Sequence, residues 1–361
     1  MLSDTKQTKF GNAPIALALQ GSFGHKYYAL GILSGLQESL QERIHFSAGS
    51  GCVEMLLPLW LYFSRDGINI REYFSQMLTA GQPLVPSILP GYDSDSLINY
   101  AKRLTKCAQP PFNVRHMLAN WSGPPGGFAF NRSYFNGEAG REFERLMHNV
   151  DAPVFTNALD ARTFREIYLY SGTLPSERKH KILGKKGKGH RRELVELTVQ
   201  EFMASGARAP FFAPVRVERD NGSVQYWMEG AMRCNPPLNP LIDVGASQIL
   251  LIRFFAKKQT EGEIDNEAEL LNRYYDTVFT APLEKELDFI EVVNHFVDKH
   301  GSNGKQCVTV FDPSECVEEF KDLLQNKLDC LSHYQAADWG LWEDMFETGS
   351  RVGRAIAHYY L

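Results

Sequence analysis

The run HFSAGSGCVEML, residues 45–56, sets one serine among small residues directly before a strongly apolar segment. Ser50 has Gly49 and Gly51 beside it and Ala48 and Cys52 two residues away, the neighbours that a strained, sharp strand-to-helix corner needs. Such a corner puts the hydroxyl at a helix N-terminus, where unpaired N–H groups stabilise an oxyanion. The pattern suits a nucleophile, and it also suits a plain packed turn. Cys52 is a second candidate, since a thiolate is intrinsically the better nucleophile, but no histidine is tied to it by spacing.

Two further stretches can serve Ser50. Residues 21–24 (GSFG) follow a predicted strand, and a glycine-bearing loop there can aim backbone N–H groups at a tetrahedral intermediate, each worth about 3 kcal/mol. Glu229, in YWMEGAMRCNPP (226–237), follows another predicted strand, at the kind of strand end where α/β proteins keep their sites. A carboxylate within hydrogen-bond reach of a serine, in a dry setting, acts as its base.

The elements that must position these groups are legible as periodicities. Residues 14–20 (PIALALQ) form a continuous apolar run that stops at Gly21, as a buried parallel strand does, and 27–37 carry helical spacing. A second strand ends at 45–47 and a second helix covers 51–63. Strand, glycine turn and helix, repeated, spell a parallel α/β sheet. Residues 65–150 read as a helical and looped insertion punctuated by prolines, 152–158 and 165–170 as strands, and 194–205 as a helix. Residues 214–219 and 223–227 form a hairpin across Asn221 and Gly222, and 248–254 (QILLIRF) supply another buried strand. Residues 1–260 thus read as an α/β domain that carries all three motifs, and 261–361 as a helical C-terminal part with an especially long helix over 264–300.

The 361 residues suffice for one large α/β domain with an appended part. The polar first residues lack the apolar core of a secretory signal, and the longest apolar run, 53–63, is about half of what a bilayer crossing needs. A cytoplasmic protein is expected. Its six cysteines show no zinc spacing, so reduced thiols and no metal are expected. Net charge is −5, yet residues 178–192 (RKHKILGKKGKGHRR) hold eight Lys and Arg and no acid. This run reads as a mobile basic loop that governs access to an anionic partner, either a membrane surface or an acyl carrier. Nucleic acid is not expected, because the rest of the chain is acidic and the run has no interleaved aromatics.

Taken together and in this order, the three motifs resemble the patatin-like phospholipase family, particularly its bacterial members. The family's oxyanion loop, Gly-Gly-Gly-x-Arg/His-Gly, falls on Gly21, Ser22, Phe23, Gly24, His25 and Lys26. Its Gly-x-Ser-x-Gly falls on Ala48 to Cys52, and its Asp-Gly-Gly/Ala on Glu229, Gly230 and Ala231, followed by Asn235 and Pro236. The resemblance implies a three-layer α/β/α patatin-like fold with a mostly parallel sheet and additional C-terminal helices. It implies a Ser/Asp-type dyad without histidine, cleaving an acyl ester or thioester of a lipid-like substrate through an acyl-enzyme, with no cofactor. By the same resemblance Ser50 is the nucleophile, Glu229 stands where the base stands, and Gly21, Ser22, Phe23, Gly24 and Gly51 form the oxyanion hole. His25, Cys52, Gly230 and Asn235 support them.

Every motif is altered. Glutamate for aspartate adds one methylene, and a misplacement of about 1 Å can cost roughly a hundredfold in rate. Ser22 and Phe23 replace glycines that give close backbone approach, and Lys26 replaces the last glycine of the loop. The altered motifs leave transfer or cyclisation open beside hydrolysis. They also leave a rival: a catalytically inactive binding or scaffold protein of the same fold.

Overall fold

The computed structural model describes residues 9–21, 25–51, 53–80, 138–183, 193–207, 214–219, 221–255, 267–301, 307–326 and 339–361. Its strands are β1 Ile15–Leu19, β2 Ile44–Gly49, β3 Val154–Asp160, β4 Glu166–Ser171, β5 Glu193–Glu196, β6 Val215–Glu218, β7 Val224–Glu229, β8 Gln248–Ile252 and β9 Thr309–Phe311. They form one sheet in the order β5-β4-β3-β2-β1-β8-β9, with β7 also on β3 and β6 on β7. The run from β9 to β3 is parallel. The strands β4 and β7 are antiparallel to β3, and β5 runs parallel to β4.

The helices are α1 Lys26–Leu40, α2 Val53–Tyr62, α3 Ile70–Ala80, α4 Glu138–His148, α5 Ser176–Leu183, α6 Val199–Ser205, α7 Asn239–Asp243, α8 Glu267–His300, α9 Glu318–Asn326 and α10 Trp339–Tyr360. Alternation along β1 shows how they sit. Ile15, Leu17 and Leu19 pack into a core with residues of α1, α2 and α10, whereas Ala16 and Ala18 join Leu241 of α7 and Leu283 and Ile290 of α8. Helices therefore cover both faces of a mostly parallel α/β sheet, an arrangement compatible with three α/β/α layers. No helix among the described residues is long and apolar enough to cross a membrane.

On one face α1 and α10 approach until glycines touch backbone. A Cβ at Gly31 would lie 2.1 Å from Phe346 O, and one at Gly353 2.2 Å from Ile32 O. On the other face α8 is held by Arg253, which is fully buried and lies 2.6 Å from Glu284 on α8 and 2.6 Å from Asp312 just beyond β9.

Three expectations need correction. Residues 193–196 are strand, not helix: ELVE contains good helix formers, but pairing with β4 from Ile167↔Glu193 to Tyr170↔Glu196 overrides that preference. The helix starts later, at a Thr198–Glu201 capping box. Second, the basic run is not wholly a loop, because 176–183 fold as α5. The N–H groups of Arg178 and Lys179 donate to Pro175 O at 3.0 Å each, and Ile182 is buried. Arg178 lies 4.7 Å from the Phe46 ring centroid and Lys179 Nζ 4.7 Å from that of Tyr170, so both cations are engaged by the protein's own aromatics. Residues 184–192 lie outside the described residues, as does 81–137 of the expected insertion. Third, the C-terminal part adds a strand as well as helices, since the three residues of β9 pair with β8.

Candidate active site

The strand register brings two distant motifs to one place. The first half of β3 pairs with β2, Ser47↔Val154 and Ala48↔Phe155, and its second half pairs on with β7, Ala158↔Glu229. Since β2 runs parallel and β7 antiparallel to β3, the two strands point at each other along one flank of it. Phe155 and Ala158 are three residues apart, so Ala48 and Glu229 stand about 10 Å apart along β3. Gly49 and Ser50 enter that gap. Both Ser50 and Glu229 are buried, at 0% and 1% exposure.

Ser50 follows β2 directly and α2 starts three residues on, so the hydroxyl stands beside a helix N-terminus as expected. The strain expected at the serine is instead taken by its neighbour. Gly51 has φ 78°, whereas Ser50 is not in the left-handed region, whose only non-glycine occupant among the described residues is Phe164.

The hydroxyl of Ser50 donates to Asn235 Oδ1. The same oxygen accepts the N–H of Gly21 at 2.6 Å, so one amide oxygen gathers the ends of β1 and β2. A side chain there would be tightly packed: a Cβ at residue 21 would lie 3.1 Å from Ser50 O and 3.2 Å from both Ser50 Oγ and Asn235 Oδ1. Asn235 Nδ2 faces Phe279 O at 3.4 Å, which agrees with this orientation of the amide. An amide oxygen accepts a hydrogen bond but takes no proton at neutral pH, so Asn235 holds the hydroxyl without activating it.

The segment carrying Asn235 is held by residues that the sequence reading passed over. Asn157 Nδ2 is 2.8 Å from Glu166 Oε1 and 3.2 Å from the carbonyls of Gly230 and Cys234. Gly230 packs so closely that a Cβ would lie 2.3 Å from Asn157 Cγ. Further along, Glu286 of α8 accepts from Asn239 Nδ2 at 2.9 Å and from the N–H of Leu238 at 3.3 Å. Burial, then the Glu286 and Glu166 carboxylates, push the Cys234 thiol far above its ordinary pKa, so it is a hydrogen-bonding thiol and not a thiolate. The signal for Asn157 was present in VFTNALD, a polar residue inside an apolar strand. Nothing in sequence spacing announces Glu286.

Of the other expected site residues, His25 heads α1, is buried, and stacks on Phe254 with ring centroids 6.0 Å apart. Gln20, which the sequence reading did not single out, is fully buried and accepts the N–H groups of Phe254 and Phe255 at 3.0 and 3.1 Å, tying the ends of β1 and β8 together. Ser22, Phe23, Gly24 and Cys52 lie outside the described residues. Among the described residues no group of three or more His, Cys, Asp or Glu side chains is placed to hold a metal ion. No protein-family model matches the chain, and no curated protein is significantly similar to it.

Proposed function

We propose that the chain is a patatin-like serine acyl hydrolase or acyltransferase that works on a lipid-like ester or thioester through an acyl-enzyme on Ser50, with Glu229 as the base. The observation that carries this reading is the meeting of β2 and β7 on one flank of β3, which directs a buried serine and a buried glutamate to the same strand ends. In the reaction Ser50 Oγ leaves Asn235, passes its proton to the Glu229 carboxylate and bonds to the acyl carbon. The carbonyl oxygen takes the negative charge and is stabilised by N–H groups at the start of α2; the Gly21 N–H would join them on leaving Asn235 Oδ1. As the tetrahedral adduct collapses, the bond to the leaving group breaks and Glu229 returns the proton to that group. Water or another acceptor then repeats the sequence on the acyl-enzyme, and the chosen acceptor distinguishes hydrolysis from transfer.

A fluorophosphonate probe followed by intact-mass analysis tests the reading. A single adduct on Ser50, absent in Ser50→Ala and slowed at least about a hundredfold in Glu229→Gln, supports it. Folded wild-type protein that takes no adduct at Ser50 overturns it.

A second reading, a binding or scaffold protein without catalysis, is favoured by one contact: Ser50 and the Gly21 N–H already share the Asn235 oxygen. It is sustained if the probe leaves Ser50 untouched while an acyl ester binds without turnover.

A further inference from the structure

A cavity of 1040 Å3 opens between α8, the turn joining β3 to β4 and the segment that carries Asn235. Its volume matches the upper end of small-molecule sites, about 300–1,000 Å3. Neither Ser50 nor Glu229 lines it. The walls are largely apolar, formed by Leu159, Met228, Leu238, Ile290, Val293 and Val308. At the mouth three large apolar side chains stand in solvent, Phe164 at 59%, Met232 at 40% and Phe289 at 64% exposure.

Among the described residues Phe164 is the non-glycine residue with φ in the left-handed region, at 53°. Its N–H donates to Asp160 O at 2.8 Å, while Asp160 Oδ1 accepts the N–H groups of Arg162 and Thr163 at 2.9 and 2.7 Å. A tight turn thus fixes an exposed aromatic over the mouth at a cost in backbone strain, a pattern concentrated at ligand clamps.

The charges around the cavity are unevenly committed. Its two acids are engaged by the protein, Glu166 by Asn157 and Glu286 by Leu238, Asn239 and Cys234. Its three cations, Arg165, Arg233 and Lys285, are exposed, and among the described residues their side chains make no hydrogen bond or ion pair. We propose that this cavity binds one amphipathic anion, an extended hydrocarbon chain along the apolar walls with its carboxylate or phosphate monoester at the three rim cations. The site stands whether or not Ser50 forms an acyl-enzyme.

Calorimetric titration of the full chain with dodecanoate, dodecyl phosphate and dodecyltrimethylammonium, each below its micelle concentration, tests this. A single saturable site for either anion and none for the cationic chain is expected, and which anion binds tighter tells carboxylate from phosphate. The triple variant R165Q/R233Q/K285Q, altered only at exposed positions, should bind at least tenfold more weakly, as should Phe289→Ser. Ser50→Ala should bind as the wild type does, so failure of the acyl-enzyme reading leaves this result intact. Equal binding of the cationic chain, unchanged affinity in the triple variant, or no saturable site overturns the proposal. So does self-association abolished by Phe289→Ser with no anion bound, which would assign the face to a second copy of the chain.

Discussion

Two long helices cover opposite faces of the sheet in opposite manners. On one side α10 meets α1 through glycines at both surfaces, Gly31 and Gly35 against Gly349 and Gly353, leaving no space for a side chain. On the other, α8 carries Phe289, Val292 and Phe296 at 64, 65 and 56% exposure and is tied down through Arg253. The first contact is specified by side chains that are missing, the second by apolar residues such as Leu283 and Ile290, the buried Arg253 and the hydrogen bonds of Glu286. The contrast teaches that one face is closed by backbone contact that admits no side chain, while the other leaves an apolar stripe of α8 in solvent, of which Phe289 lines the cavity.

The sharpest way to break the contrast is to fill the sealed side. Gly353→Val should lower unfolding free energy by about 3 kcal/mol or more, because the added carbons meet backbone that cannot turn aside. Urea denaturation reads it, and a loss below about 1 kcal/mol would mean that the helices separate easily. Arg253→Leu comes next, at about 2 to 3 kcal/mol, since it leaves two carboxylates beside an apolar core. The value is set below that of a fully buried pair because Glu284 and Asp312 keep 23% and 15% exposure. On the open side Phe289→Ser should change stability by no more than about 0.5 kcal/mol. A larger loss would show that the exposed stripe of α8 is structural.

The smallest effect concerns α4, held by exposed ion pairs of Arg145 with Asp66 and Glu142 at 3.0 and 2.9 Å. Hydrogen bonds from Asn149 and Arg145 hold the Asp66 carboxyl below its ordinary pKa, and one from Arg145 does the same for Glu142. Lowered folded values mean that this stabilisation is present above the ordinary carboxylate pKa and lost as pH falls through the depressed ones. Wild type and Arg145→Gln should therefore differ slightly at neutral pH and converge in acid, and the difference should shrink with salt. A gap that widens in acid would contradict the sign.

What could be read in advance follows from how local each signal is. The runs PIALAL and ILLI are apolar throughout because helices bury both their faces, and they form β1 and, after Gln248, β8. The Asn-Gly turn announced the β6–β7 hairpin. ELVE misled because its pairing partner, β4, lies elsewhere in the chain, and TVF of β9 is too short to show a period. At the site, small residues placed Ser50 after its strand. A glycine beside the serine was the local trace of the left-handed turn at Gly51, and the resemblance named Asn235 among the supporting residues; that its amide oxygen, 185 positions away, receives the hydroxyl is tertiary geometry.

Because β2 and β7 share a flank of β3, Ser50 and Glu229 are placed by two separable pieces of the sheet. The hydroxyl belongs to the parallel core, whereas the carboxylate arrives on a hairpin joined to it along three residue pairs. A slip of the hairpin by two residues would carry Glu229 about 7 Å along β3 while Ser50 stayed where it is. The position of Glu229 along β3 is thus set by the seating of one ribbon, independently of the strand that carries the hydroxyl.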